Sequence, residues 1–185
     1  MEQKIFRAPI ELKANGNEGE FRAEFATLNV IDHHVEVTEP GAFQNGQEVI
    51  IEPWNHGWAL PAGKGIIQSD GAKAWVEGQF FVDTDAGREN YRTVKNLGPL
   101  AEWSYSFDIL ESGEGEFNGQ QVRFLRKLDV VGVGPVTRGA GIDTRTVEIK
   151  SIEQIETEAG NGKASDDLMT KIAIVEIEMI IGGLT

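Results

Sequence analysis

The chain has 185 residues and a formal net charge of −13, a length that allows one domain with a core plus a tail. It contains no cysteine, which excludes disulfides, thiolate metal sites and cysteine nucleophiles. Its acidity argues against a nucleic-acid surface, which needs clustered cations, and no apolar run approaches the roughly 18 residues of a membrane span.

In chain order, residues 4–13 are expected to form a first strand, and Asn15-Gly16-Asn17-Glu18-Gly19 a turn. Phe21-Arg22-Ala23-Glu24-Phe25-Ala26 alternates apolar and polar residues, the pattern of a half-buried strand. Val49-Ile50-Ile51 is a short apolar run that leads into Trp54-Asn55-His56-Gly57-Trp58. Gly63-Lys64-Gly65 lacks the spacing of a phosphate loop and reads as a turn. Residues 65–68 and 74–82 then read as a hairpin turned at Ser69-Asp70-Gly71. Thr84 is placed to cap a helix that begins near Asp85, with Ala86, Tyr91, Val94 and Leu97 as its apolar stripe and Gly98-Pro99 as its stop.

Strands are expected again at 103–110, 121–131 and 144–152, with 111–119 as a Gly/Glu-rich loop or hairpin tip. The 22 glycines and 9 phenylalanines suit many short strands joined by turns. Residues 153–167 read as a linker. In the tail, 168–185, Leu168, Ile172, Val175 and Met179 make a seam that suits a helix, and one that would permit self-association.

A hydroxyl is a weak nucleophile until a base takes its proton, and imidazole suits that task near neutral pH. The chain has three histidines, His33, His34 and His56. His56 sits among tryptophans, where its bland reading is a packed side chain. Ser104 and Ser106 share the polar face of a strand whose other face carries Trp103, Tyr105 and Phe107. On the residues alone either serine qualifies as a nucleophile. His33 and His34, with Asp32 and Glu36 nearby, raise the question of a metal site. Adjacent residues on a strand point to opposite faces, however, so a surface turn is the expectation, and neither metal nor cofactor is expected. Arg88 and Arg92, beside Asp85 and Glu89, read as a solvated helix face.

Five motifs occur in one order. They are Asn29-Val30-Ile31-Asp32 with Val37-Thr38-Glu39-Pro40-Gly41-Ala42-Phe43; Trp54-Asn55-His56; Leu60-Pro61-Ala62-Gly63-Lys64-Gly65; Trp103-Ser104-Tyr105-Ser106-Phe107; and Gly134-Pro135-Val136-Thr137. Together they resemble the prohead (capsid maturation) serine proteases of tailed phages, of the HK97 type, which are related to herpesvirus assemblins. The resemblance spans roughly residues 4–150. It implies a mainly β fold (α+β), an assemblin-like β-barrel with peripheral helices, over 1–152; the linker and the tail helix lie outside it.

The activity it implies is serine endoproteolysis of scaffold, or of the capsid protein's own scaffold segment. The place it implies is the assembling prohead in the cytoplasm of a bacterial host. The partners it implies are capsid protein and scaffold; the charge and the lack of a long apolar run add the expectation of no nucleic acid and no membrane. His56 matches the family's general base and Ser104 its nucleophile. Ser106 stands where glycine is usual. The acid expected in a late strand, within Glu-Val-Ser-Pro-Val, falls on Gly132. That leaves Asp129 as the candidate third member, provided a β-bulge turns it toward the histidine. Arg138 is a candidate for oxyanion support. Because the acid position is glycine and Ser106 replaces the usual glycine, a catalytically silent assembly or scaffolding component stands as the alternative.

Overall fold

The alternation of Phe21, Ala23 and Phe25 with Arg22 and Glu24 produces β1 (Glu20–Thr27), with the apolar set buried. The computed structural model describes residues 17–57 and 59–150. After β1 come β2 (Glu36–Thr38), β3 (Glu48–Ile51), a 3₁₀ turn (Trp54–His56), β4 (Gly63–Ser69) and β5 (Lys73–Phe80). The helix α1 (Asp85–Leu97) follows, then a second 3₁₀ turn (Gly98–Leu100), β6 (Glu102–Phe117), β7 (Gln120–Val136) and β8 (Arg145–Ile149). The expected first strand at 4–13, the linker and the tail helix lie outside the described residues.

The eight strands form one sheet, and the mainly β expectation holds. Hydrogen-bonded neighbours run β2-β7-β3-β4-β5-β1-β8, with β6 also paired to β7. The two strands β2 and β3 run parallel to β7 at different heights, while β6 runs antiparallel to it along nearly its whole length.

The expected barrel needs correction, because the sheet does not close. At the meeting of β8 with the start of β6, single bonds replace a ladder. Thr146 N–H donates to the Ala101 carbonyl at 3.2 Å. Trp103 N–H donates not to backbone but to Thr144 Oγ1, at 3.1 Å.

Two local expectations are also corrected. Gly63-Lys64-Gly65 is not a turn but the start of β4, paired with 78–80 of β5. A Cβ at Gly63 would lie 2.3 Å from the Gln79 carbonyl oxygen, so glycine there permits close strand approach. The stretch 111–119 is mostly strand, because β6 runs on to Phe117. Only Asn118 and Gly119 turn, both at positive φ (51° and 81°), which is the backbone demanded by a tight hairpin. The hairpin of β4 and β5 and the helix α1 fall where expected. Thr84 Oγ1 accepts from Gly87 N–H at 3.1 Å as the N-cap, and Gly98 ends the helix.

The core is aromatic around the start of β6. Trp103 is fully buried, stacks on Phe21 at 4.9 Å and donates its indole N–H to Thr146 Oγ1 at 3.0 Å. Phe25, Phe43 and Tyr105 pack mutually with ring centres 5.2–5.3 Å apart. Because Trp103, Tyr105 and Phe107 all turn to the core, pleating sends Ser104 and Ser106 to the other face. Trp103→Ala should lower unfolding free energy by about 3–5 kcal/mol, the usual cost of emptying a large aromatic site. Urea denaturation checks this, and a loss under about 1 kcal/mol would mean that this residue does not anchor the strand.

Candidate active site

The end of β3 places the first elements of the site. Ile50 and Ile51 pair with Gly132 and Val133 of β7, and Glu52 continues the pairing by donating its N–H to the Val133 carbonyl at 2.9 Å. The chain then turns through Trp54–His56, where Asn55 and His56 both have left-handed backbone (φ 56° and 53°). Such conformations are uncommon for residues with a side chain, and surrounding contacts must hold them.

Contacts on two sides do so. Trp54 N–H donates to Asn90 Oδ1 of α1 at 2.7 Å, and the Asn90 amide donates to the Ala86 carbonyl at 2.8 Å. Asn55 Oδ1 accepts from Thr137 N–H at 2.8 Å, and its amide donates to Thr137 Oγ1 at 3.3 Å. The turn that carries His56 is therefore tied to the helix and to the residue following β7.

The carboxylate of Glu52 meets His56 Nδ1 in a short, charge-assisted contact. Ser106 Oγ donates to the same Glu52 oxygen, Oε2, at 3.2 Å, and lies 3.4 Å from His56 Nδ1. The Glu52 side chain is only 12% exposed, against 35% for His56, so the acid is the shielded partner. Burial pushes the Glu52 pKa up, but hydrogen bonds from His56 and Ser106 and the His56 charge outweigh it and hold the carboxyl below its ordinary value. Hydrogen bonding to Glu52 raises the His56 pKa, against partial burial, and the Glu52 charge adds to the rise. With Nδ1 engaged, the proton-accepting nitrogen left to the ring is Nε2.

His56 and Ser104 line one open cleft of about 520 Å³. His33, His34 and Arg138 line it too, so all three histidines of the chain converge there. His33 and His34 sit in an exposed turn before β2, as expected, and His33 N–H donates to the Ala140 carbonyl at 3.0 Å. Arg138 is 76% exposed, with its Nε 3.8 Å from Glu102. An imidazole with a carboxylate on one nitrogen and a cleft hydroxyl nearby is an arrangement suited to acyl transfer.

A family model described as caudovirus prohead serine protease matches residues 8–158. The chain belongs to that family. No curated protein and no solved structure matches it. For this family member the comparison supports a capsid maturation protease at the level of the family.

The serine within hydrogen-bonding distance of the ring is Ser106 rather than Ser104, and it lies on the Nδ1 side already taken by Glu52. Asp129 does not contact His56. A bulge at Val131, skipped between the pairs Ser106–Gly132 and Phe107–Val130, does turn Asp129 to the face of Ser106. There it accepts from the Gln47 amide at 3.2 Å. Trp58 lies outside the described residues.

Sequence reasoning missed Glu52 and Asn90. Glu52 carries a signal, a carboxylate four residues before the histidine, directly after the apolar run Val49-Ile50-Ile51. Asn90 carries another, an amide beside the apolar stripe of α1, and it is buried.

The ion pair has a defined pH window. A depressed carboxyl contributes stability above its unfolded pKa and loses it as pH falls through the folded value. A raised imidazole contributes below its unfolded pKa and loses it as pH rises through the folded value. The destabilisation caused by Glu52→Gln should therefore peak between the ordinary values of 4.5 and 6.5. It should shrink on both sides, as read by denaturant unfolding across pH. A difference independent of pH would mean that the pair does not form in solution.

Proposed function

We propose that this chain is an active serine endopeptidase that cleaves scaffold, or the scaffold segment of the capsid protein, during prohead maturation. The observation that carries the reading is the shared cleft of His56 and Ser104 in a chain whose family is that of the prohead serine proteases. His56 Nε2 takes the proton from Ser104 Oγ, which attacks the scissile carbonyl carbon. The tetrahedral intermediate collapses as His56 returns the proton to the departing amine, leaving an acyl-enzyme on Ser104. Water, activated by the same nitrogen, then releases the acid and restores the hydroxyl.

Ser104 is favoured over Ser106 because nucleophile and orienting acid occupy opposite nitrogens of the ring in a triad. The Ser106 proton faces Glu52 instead. Backbone amides supply the oxyanion site, and Arg138 adds a cation at the edge of the same cleft. Substrate binds as an extended strand beside β6. The alternative, a silent assembly component, rests on glycine at position 132 and serine at position 106. The carboxylate already present at His56 supports the active reading instead.

Co-expression with the matching capsid and scaffold proteins tests this reading. Wild-type chain should give discrete fragments by mass spectrometry that vanish with Ser104→Ala and with His56→Ala. Identical fragment masses with Ser104→Ala would sink the reading. Arg138→Ala should lower kcat by up to roughly 10²-fold with little change in KM, the signature of lost transition-state stabilisation. A change confined to KM would assign Arg138 to substrate binding.

A further inference from the structure

Ser106 and Gly132, two of the departures from the expected motifs, both lie at the carboxylate of Glu52. Ser106 is the cross-strand partner of Gly132, and Ser104 is the partner of Gly134. Glu52 lies over this strip of β7, its backbone pinned to Val133. A Cβ at Gly132 would fall 2.7 Å from Glu52 Cγ and 2.8 Å from its Cδ and Oε1. A Cβ at Gly134 would fall 2.9 Å from Glu52 Cβ. Neither glycine has positive φ, so ordinary strand backbone would accept a side chain at both. A side chain at either would have to displace Glu52: its carboxyl arm at 132, its Cβ and backbone carbonyl at 134. A side chain at 132 would point into the volume of the Glu52 carboxyl group.

We infer that Glu52 is the positioning acid of His56, and that Ser106, Gly132 and Gly134 are its seat, so that the orienting carboxylate enters from the end of β3 rather than from β7. The inference rests on the reading of His56 as general base. When His56 Nε2 takes the Ser104 proton, the imidazolium is stabilised by Glu52 at Nδ1. The Ser106 hydroxyl, donating to Oε2, keeps the carboxylate turned to the ring. Glycine at 132 is then not a lost acid but the room for a transplanted one. Ser106, in the place where glycine is usual, is the donor that fixes it.

The test uses the full chain and two kinds of readout. His56 titration followed by NMR needs no substrate. Glu52→Gln should move the His56 pKa downward and carry the acid limb of the kcat/KM profile to lower pH. It should also cut kcat by up to about 10⁴-fold. An unchanged His56 pKa would overturn the inference, and would do so whether or not Ser104 is the nucleophile, which the Ser104→Ala experiment decides separately.

Ser106→Ala should cost about 10-fold in kcat, the scale of one hydrogen bond, and Ser106→Thr should restore most of it. Complete loss with Ser106→Ala would make that serine the nucleophile and overturn its role as the seat. Gly132→Glu should lower Tm in the presence of Glu52 but be tolerated in the Glu52→Ala background, where it should raise the His56 pKa again. Equal Tm penalties in the two backgrounds would show that Glu52 and position 132 do not share one space.

Discussion

Glu52 reaches His56 across a part of β7 where side chains are missing from the site face. Gly132 and Gly134 leave that strip bare, and the parallel pairing of β3 with β7 lays Glu52 along it. A carboxylate shielded there would carry a desolvation cost if unpaired. The imidazole of His56 and the hydroxyl of Ser106 satisfy it. The turn that presents His56 is in turn held in an unfavourable backbone conformation by Asn55 and Asn90. Remove the carboxylate and the ring loses its orientation. Remove the amide clamps and the ring loses its position.

The serines depend on a different force. Burial of Trp103, Tyr105 and Phe107 fixes which face of β6 turns outward. A slip of one residue would bury both hydroxyls and expose three aromatic rings, a change that the hydrophobic term forbids. The register of the β6–β7 hairpin then sets Ser104 opposite Gly134 and Ser106 opposite Gly132. A nonpolar underside thus positions a polar site, and the bulge at Val131 separates that site from the long, exposed arm of the hairpin.

Family membership and local geometry answer different questions here. The family match concerns the class of reaction and the assembly in which it occurs. The geometry concerns how this chain arranges its own groups. Four side-chain choices, at 52, 106, 132 and 134, make sense together where each alone looks like a departure or an accident.

Much of the fold was legible in the sequence. The period-two alternation of 21–26 and 103–107, the Thr84 cap and the Gly98-Pro99 stop are local signals, and local physics obeys them. The length of the β6–β7 hairpin was not legible from residues 111–119, because a glycine- and glutamate-rich run resembles a loop until a partner strand pairs with it. Its tip at Asn118-Gly119 was nevertheless written in the sequence as a tight-turn dipeptide.

The order of motifs also singled out His56 and Ser104, and the cleft contains both. The identity of the acid beside His56 was not written in that order. Glu52 comes from one strand, Gly132 and Gly134 from another, and Ser106 from a third, with no fixed spacing among them. By itself the sequence determined most of the strands and the family, and the order of its motifs nominated His56 and Ser104, because alternation, caps and motif order are all read along the chain. Only the tertiary structure decided which carboxylate meets the histidine, because that depends on which strands lie side by side and on the space left between them.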